Sequence, residues 1–183
     1  DFSIAGWIKP VASSTVQTLL NRKKLDASGT PIEFGINSDE TPYLYTGSGA
    51  TPLSGKPLPV GTWLHIVAVR QGGFYGIYIN GELFNSNTGQ NVNNVSNTDA
   101  PMVIGAYMTN GGRQYPWQGS LALLRISATA PTTEQIKKMY NDEKHLFQEN
   151  AKATLYGSSD SVTALAYDDD TELLHVGTSA GRS

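Results

Sequence analysis

Short β-like runs rich in apolar residues, separated by glycine, proline and asparagine, recur along the first 130 residues. A period of two places every second side chain of an extended strand on the same face. Eight short strands at this spacing favour an all-β fold, an antiparallel two-sheet jelly-roll sandwich. The predicted strands are residues 2–9, 16–20, 32–36, 63–70, 74–80, 82–84, 102–106 and 121–126.

The clearest turn signal is the pair Asn80-Gly81, which lies between two of the predicted strands. A type I′ turn needs positive φ at both central residues, and asparagine and glycine tolerate that conformation. We therefore expect a tight hairpin at this pair. Longer polar connections are expected at 38–61 and 85–100, where the composition fits either a binding surface or a solvated crossover.

One α-helix is predicted late in the chain, directly after Pro131. Thr132 can cap its first turn, and Gln135 can reach back to complete a capping box. Apolar residues recur at helical spacing from Ile136 onward. We expect the helix over 132–145, with its apolar stripe packed on the sandwich rather than lining a ligand groove.

The composition excludes several classes of protein. The 183 residues contain no cysteine, so there is no disulfide framework, thiolate metal site or cysteine nucleophile. The formal net charge is −3 and the one basic run, residues 22–24, is typical of a solvated turn, so we expect no nucleic-acid partner. No apolar run approaches the ~18 residues of a membrane span, so we expect no membrane partner.

The pattern changes after the helix, which predicts a domain at 1–145 and a β-rich C-terminal segment at 146–183. Residues 162–178 read VTALAYDDDTELLHVGT, and with the residues up to 182 they resemble a single repeat of a WD-like β-propeller. One repeat cannot bury its own faces. The chain also begins within a predicted strand and ends without a closing element. We therefore expect a part of a longer polypeptide, or a tail that pairs with the sandwich or with a neighbouring subunit.

Several segments of the first domain resemble the motifs of one family. Residues 2–10 read FSIAGWIKP, residues 61–69 read GTWLHIVAV and residues 76–81 read GIYING. Residues 103–105 and 117–126 read VIG and WQGSLALLRI. In this order the segments resemble concanavalin A-like, laminin-G-like jelly-roll domains, and the resemblance is assigned to residues 2–145. It implies a concanavalin A-like sandwich.

The chain departs from the family pattern in two places. Where the family usually has an acidic pair in its last motif, this sequence has Ala122 and Leu123. The family also tends to begin one strand earlier than Phe2, and the strands of the tail are candidates to fill that position.

Catalytic residues are not expected. Glucanases of the resembled superfamily place two Glu around an Asp on one strand, and no such pattern occurs here. The acidic clusters at residues 39–40, 142–143 and 168–170 are expected in a loop, at a helix end and in a turn, where carboxylates are solvated. No Gly-x-Ser-x-Gly is present. The family resemblance implies that His65 is a packing residue with a hydrogen-bonded ring. A glycoside hydrolase is the least favoured interpretation.

Calcium is the one cofactor that the resemblance implies, because laminin-G-like domains often bind it through Asp and Asn oxygens. Hard oxygen ligands in a loop are what this ion needs. The candidate ligands are Asp99, Asn97 and Asn94 in the Asn-rich connection. A capped loop without metal is the alternative.

A ligand site is predicted in the Gly-rich segment 106–119. Sugar-binding surfaces set aromatic faces against the apolar side of a pyranose ring and use polar groups for the hydroxyls. Trp63 and Trp117 lie on the family motifs and are expected in the core. The candidate binding residues are therefore Tyr107, Asn110, Arg113 and Tyr115.

Two functions remain open. The resemblance implies a non-catalytic carbohydrate-binding or adhesion module of an exported or virion-surface protein, and residues 144–183 also resemble a segment of phage structural proteins. Its partners would be a glycan or cell-surface polysaccharide, other subunits of a larger assembly such as a phage tail fibre or capsid attachment, and further copies of the chain. The alternative is a purely structural or decoration domain of a virion without a glycan ligand. Both imply an extracellular or virion-surface location.

Overall fold

The structure is a computed structural model that describes residues 1–23, 32–47, 56–89, 95, 100–148, 162–178 and 181–182. The chain divides into two compact units, residues 1–148 and residues 149–183. The first unit contains two packed sheets and a helix, and the second contains one small sheet.

In the first unit the strands form a five-stranded first sheet, β11-β1-β5-β6-β7, and a four-stranded second sheet, β4-β3-β2-β8. Strands β9 and β10 form a separate hairpin. All of these pairings are antiparallel, and the predicted all-β sandwich is confirmed. The elements are β1 (Phe2–Lys9), β2 (Gln17–Arg22), β3 (Ile32–Ile36), β4 (Pro42–Tyr45), β5 (Leu64–Gln71), β6 (Phe74–Ile79), β7 (Glu82–Asn87), β8 (Met102–Ile104), β9 (Tyr107–Thr109), β10 (Gly112–Gln114), β11 (Ser120–Ser127) and α1 (Thr133–Glu143).

The inner faces of the two sheets enclose the main core. Phe2, Ile4 and Ile8 on β1 pack there against residues of the second sheet such as Phe34 and Leu44. Full burial of a side chain of this size contributes roughly 1.5–3 kcal/mol. A slip of β1 by one residue would move these side chains to the outer face, so the alternation fixes the register of the strand.

Strand β2 departs from strict alternation at a β-bulge between Thr18 and Leu20. The extra residue places both Leu19 and Leu20 in the core. Asn21 and Thr18 pair with Glu33 and Gly35, respectively, and these two positions alternate along β3 with the core residues Ile32, Phe34 and Ile36. The bulge therefore leaves Thr18 and Asn21 on the outer face of the second sheet.

The helix α1 covers the outer face of the first sheet. The Thr132 side chain accepts a hydrogen bond from the Gln135 backbone N–H, and the Gln135 side chain accepts one from the Thr132 N–H, so the predicted capping box is confirmed. Ile136 is fully buried in a second apolar cluster that includes Val67 and Tyr78. An isolated helix of this length is marginal in water, so packing on the sheet stabilises it.

Trp7 on β1 fixes the end of α1. Its indole Nε1 donates a hydrogen bond to a Glu143 carboxylate oxygen at 2.8 Å, and Glu143 also forms an ion pair with Arg125 on β11. The Phe147 ring stacks on the Trp7 ring with centroids 4.1 Å apart. The helix predicted over 132–145 ends as an α-helix at Glu143 and continues as a 3-10 turn, Lys144–Phe147. This turn positions Phe147 for its contact with Trp7.

The predicted hairpin at Asn80-Gly81 is confirmed, with positive φ of 52° and 84° at the two residues. The Asn80 side-chain oxygen also accepts a hydrogen bond from the His65 backbone N–H at 3.0 Å. A Cβ on Gly81 would lie 3.2 Å from the Cα of Lys137 on α1. Glycine at this turn therefore permits both the positive φ and the close approach of the helix.

Two regions hold strands that the alternation did not predict. The polar connection expected at 38–61 contains β4, whose residues pair along β3. The strand expected at 102–106 ends at Ile104, because the chain turns at Gly105 with a φ of 76° and enters the β9–β10 hairpin. Strands of three or four residues, such as these, are too short to give a recognisable period.

The second unit contains an antiparallel three-stranded sheet of β12 (Val162–Asp168), β13 (Leu173–Thr178) and β14 (Gly181–Arg182). The Asp168 carboxylate accepts hydrogen bonds from the backbone N–H groups of Asp170 and Thr171 and so closes the turn between β12 and β13. The predicted β tail is confirmed. Its resemblance to a propeller repeat stays a prediction.

His65 lies between the first sheet and α1. Its side chain is fully buried beside Trp7, with ring centroids 5.3 Å apart, and Tyr140 lies 6.2 Å away. The expected hydrogen bond to the ring is wrong, because neither ring nitrogen has a partner among the described residues. Burial lowers the pKa of His65 to about 4, while the Glu143 carboxylate acts to raise it and Arg125 to lower it.

We predict that stability of the first unit falls as the pH drops from 6.5 towards 4. In this window the unfolded chain protonates His65 while the folded protein keeps the ring neutral, so protons favour the unfolded state. The loss is on the order of 3 kcal/mol and levels off below the folded pKa. Urea unfolding across this pH range, on wild type and His65→Leu, measures it.

The difference in pH dependence between wild type and His65→Leu separates the contribution of His65 from that of carboxylates that titrate in the same pH range. We expect the pH dependence to be shallower in His65→Leu. An equal slope in both proteins would show that the buried ring does not set the acid sensitivity.

Candidate functional site

The β9–β10 hairpin lies against the outer face of the second sheet, at β2. The Asn21 Oδ1 accepts a hydrogen bond from the Met108 backbone N–H at 3.3 Å. The Thr18 backbone N–H donates one to the Tyr115 carbonyl at 3.0 Å. Because Thr18 and Asn21 are fully buried, these bonds are shielded from water and hold the hairpin against β2.

Two tyrosines of β4 stand on the same outer face. Tyr45 pairs with Glu33, and Tyr43 pairs with Gly35. A Cβ on Gly35 would lie 3.0 Å from the Tyr43 ring and 2.3 Å from the Gln17 carbonyl oxygen. The Tyr43 ring therefore lies across the glycine, and its burial raises the pKa of the Tyr43 hydroxyl to about 12.

Lys23, Glu33 and Tyr107 form a charged group beside these rings. The Lys23 ammonium donates a hydrogen bond to the Tyr107 hydroxyl at 2.6 Å and lies 5.2 Å from the centre of its ring. That hydrogen bond raises the pKa of Lys23. Burial raises the pKa of Glu33, against the opposing effects of the Lys23 charge and of a hydrogen bond with Tyr107.

Tyr115, just after the hairpin, completes the arrangement. Its ring meets Tyr107 edge to face, with centroids 6.0 Å apart. It is the most exposed of these rings, at 45%, whereas Tyr43 is buried and Tyr107 half-buried. We name this surface of aromatic rings and one charge pair the tyrosine surface. It consists of Tyr43, Tyr45, Tyr107, Tyr115, Lys23 and Glu33.

The structure brings together two of the four predicted binding residues, Tyr107 and Tyr115. Arg113 pairs with Met108 across the hairpin, so it lies on the hairpin face opposite Tyr107. There it lines a separate cleft of about 430 Å³ together with residues of β8. Asn110 is exposed between β9 and β10 and is not part of the tyrosine surface.

Lys23 and Glu33 were missed by the sequence reasoning. The sequence could have placed Glu33 on the outer face, because it is a charged residue between Ile32 and Phe34 in an apolar strand. Lys23 lies in a basic run that was assigned to a solvated turn. Nothing local connects it with Tyr107, which lies 84 residues further along the chain.

The predicted calcium ligands Asp99, Asn97 and Asn94 lie outside the described residues. Within the described part of the chain no group of three or more His, Cys, Asp and Glu residues is arranged to hold a metal ion. Calcium binding at these positions therefore stays a proposal.

A second group of aromatic residues, on the first sheet, is used for packing. Trp7 is only 2% exposed and lies between Phe147 and Tyr140, with ring centroids 4.1 and 5.8 Å away. Trp63 packs on Phe147 at 4.8 Å. Trp117, likewise expected in the core, is half-buried and packs against the main cluster. The tyrosine surface differs, because its outer rings are not covered by another element in the described residues.

The acidic clusters take part in local structure. The Asp39 carboxylate accepts a hydrogen bond from the Thr41 hydroxyl at 2.6 Å, which lowers the pKa of Asp39. Glu143 is bound by Trp7 and Arg125, as described above. Both carboxylates thus take part in hydrogen bonds or ion pairs that hold the local structure.

The fold and this surface define an antiparallel jelly-roll sandwich with an aromatic and charged outer face on one sheet. The model of the Laminin G 3 family of the concanavalin A-like lectin/glucanases superfamily matches residues 1–137. The chain belongs to this family. No curated protein matches the sequence.

Solved structures share the fold at low sequence identity. The CBM40 of the Ruminococcus gnavus IT-sialidase, bound to alpha2,3 sialyllactose, is 14% identical with a TM-score of 0.64 over 76% of this chain and 82% of its own. Domain 4 of the extracellular arabinanase AbnA from Geobacillus stearothermophilus, in complex with arabinotriose, is 21% identical with a TM-score of 0.59, over 76% and 66%. The heptameric SAP-like pentraxin of Limulus polyphemus is 20% identical with a TM-score of 0.56, over 76% and 69%.

We predict that Gly35→Ala destabilises the first unit by about 3 kcal/mol, because the added methyl group overlaps the Gln17 carbonyl and the Tyr43 ring. Gly111→Ala is the matched control, since its Cβ would meet the nearest atom at an ordinary 3.5 Å. Urea unfolding of both variants measures the change. Equal stability of the two variants would contradict the close contact at Gly35.

Proposed function

We propose that the chain is a non-catalytic carbohydrate-binding or adhesion module that takes its glycan on the tyrosine surface. The observation that carries the proposal is the grouping of Tyr107 and Tyr115 with the Lys23 and Glu33 pair on one sheet face. Relatives in fold include a CBM40 bound to sialyllactose and an arabinanase domain in complex with arabinotriose. They support the proposal without identifying the ligand of this chain.

The chemistry of the surface suits a saccharide. A tyrosine ring offers a flat apolar face to the C–H side of a sugar, and its hydroxyl can donate and accept. Lys23 donates and Glu33 accepts, so hydroxyl groups find both kinds of partner within a few ångströms of the rings. Because the pair and the rings are held by the sheet and the hairpin, little ordering is needed on binding.

The first test is a glycan-array screen of the purified chain, followed by titration calorimetry on the best binder. Tyr115→Ala removes the most exposed ring, and we expect about tenfold weaker binding, the loss of one stacking contact of about 1.4 kcal/mol. Tyr107→Phe removes the hydroxyl that accepts from Lys23 and is expected to weaken binding as well.

Tyr167→Ala, which changes a tyrosine of the second unit, is the control and should leave the affinity unchanged. If Tyr115→Ala binds as tightly as wild type, the tyrosine surface is not the site. If no glycan binds at all, the purely structural role is favoured instead.

The calcium proposal has its own test. An ion that binds only the folded chain raises the melting temperature by mass action. We expect millimolar calcium to raise it in wild type but not in Asp99→Asn, with Asp39→Asn as a control that keeps the response. An unchanged melting temperature of wild type in calcium would remove Asp99, Asn97 and Asn94 from consideration.

The cellular setting is also part of the proposal. In the described residues no helix has the length and apolar character needed to cross a membrane. We propose an extracellular or surface location, on an exported or a virion protein such as a phage tail fibre, with other subunits or copies of the chain as neighbours. The propeller-like segment would then belong to a longer polypeptide. Asn110 and Arg113 are proposed only as outlying contacts for a long glycan.

A further inference from the structure

We propose that the tyrosine surface selects neutral saccharides and discriminates against glycans that carry a carboxylate. This inference rests on the proposed carbohydrate-binding function and adds the chemical class of the ligand. It follows from the placement of three charged side chains, Lys23, Glu33 and Arg113.

Lys23, the cation of the tyrosine surface, already interacts with Tyr107 and Glu33. The Lys23 ammonium donates to the Tyr107 hydroxyl at 2.6 Å and lies 5.2 Å from the ring centre, and the Glu33 carboxylate acts on the same ammonium. An incoming carboxylate would have to compete with Glu33 for Lys23. Among the described residues of this surface there is no second cation to receive it.

The other nearby cation faces away. Arg113 lies on the hairpin face opposite Tyr107 and lines the cleft beside β8 with Met102, Ile104 and Met108. A sugar stacked on Tyr107 therefore has the hairpin between itself and the guanidinium. Arg113 adds no direct contact for an acidic group at the tyrosine surface.

Glu33 favours hydroxyl groups and disfavours acids. It stands on the sheet face between Tyr45 and Asn21, its pairing partners in β4 and β2, and it is half-buried. A carboxylate that has lost part of its water gains from hydroxyl donors, such as neighbouring hydroxyls of a sugar ring, in charge-assisted hydrogen bonds. The same low-dielectric position strengthens its repulsion of a second carboxylate.

The test is an array of matched pairs, in which each neutral glycan is printed beside the same glycan with a terminal acid. One such pair is lactose with 3′-sialyllactose, which carries one added terminal acid. We expect wild type to bind a neutral member about tenfold more tightly than its acidic partner, which corresponds to ~1.4 kcal/mol. Glu33→Gln keeps the shape of the side chain, removes its charge and is expected to narrow that ratio.

Lys23→Met is the second variant, and it does not depend on the fold tolerating a change at Glu33. It removes the positive charge that acts on Glu33, so we expect the preference for the neutral member to increase or to stay the same. Circular dichroism confirms that each variant is folded before it is applied to the array.

The outcomes separate the inference from the function on which it rests. The inference is supported if the protein binds the neutral members and does not bind the acidic members. Binding of the acidic members as tightly as the neutral ones, or more tightly, would overturn the inference and leave the carbohydrate-binding function intact. If Arg113→Ala then lost its binding to the acidic members, the acid would be assigned to the cleft beside β8. No binding to any member would overturn the proposed function, and the inference would fall with it.

Discussion

The hydrogen bonds of β2 are the constraint on which the arrangement of the molecule depends. This strand pairs with β3 on one edge and with β8 on the other, and its polar residue Asn21 also binds the hairpin above the sheet. A bulge sends Leu19 and Leu20 into the core while Thr18 and Asn21 stay on the outer face. One strand thus connects the core of the sandwich to the position of the hairpin.

The two sheets use their outer faces differently. The first sheet is covered by α1, with Ile136 buried on it and Trp7 bound to Glu143. The second sheet is covered in the described residues by its own tyrosines and by the hairpin. Burial of aromatic area stabilises the first arrangement, whereas partly exposed rings beside a charge pair, as at Tyr115, are more suited to binding. The asymmetry is the physical basis of the proposed function.

The sequence was sufficient for the elements that depend on local pattern. Short β-like runs between turn residues predicted the long strands, Asn80-Gly81 predicted its turn, and Thr132 predicted the capped helix. Each of these signals lies within a few residues of its effect. The tyrosine surface was predicted only in part. The contact of Lys23 with Tyr107 could not be foreseen, since the two residues lie 84 positions apart in the chain. The opposite placement of Arg113 depends on a hairpin of three-residue strands.

The most direct test of the central claim is to map a bound glycan on the chain by NMR. Backbone amide shifts of the ¹⁵N-labelled protein are followed during titration with the tightest binder of the array. The account predicts that the largest changes cluster at Glu33, Tyr45, Tyr107 and Tyr115, while amides of α1 stay unchanged. Changes confined to α1, or to the cleft beside β8, would contradict the assignment of the outer face of the second sheet as the binding surface.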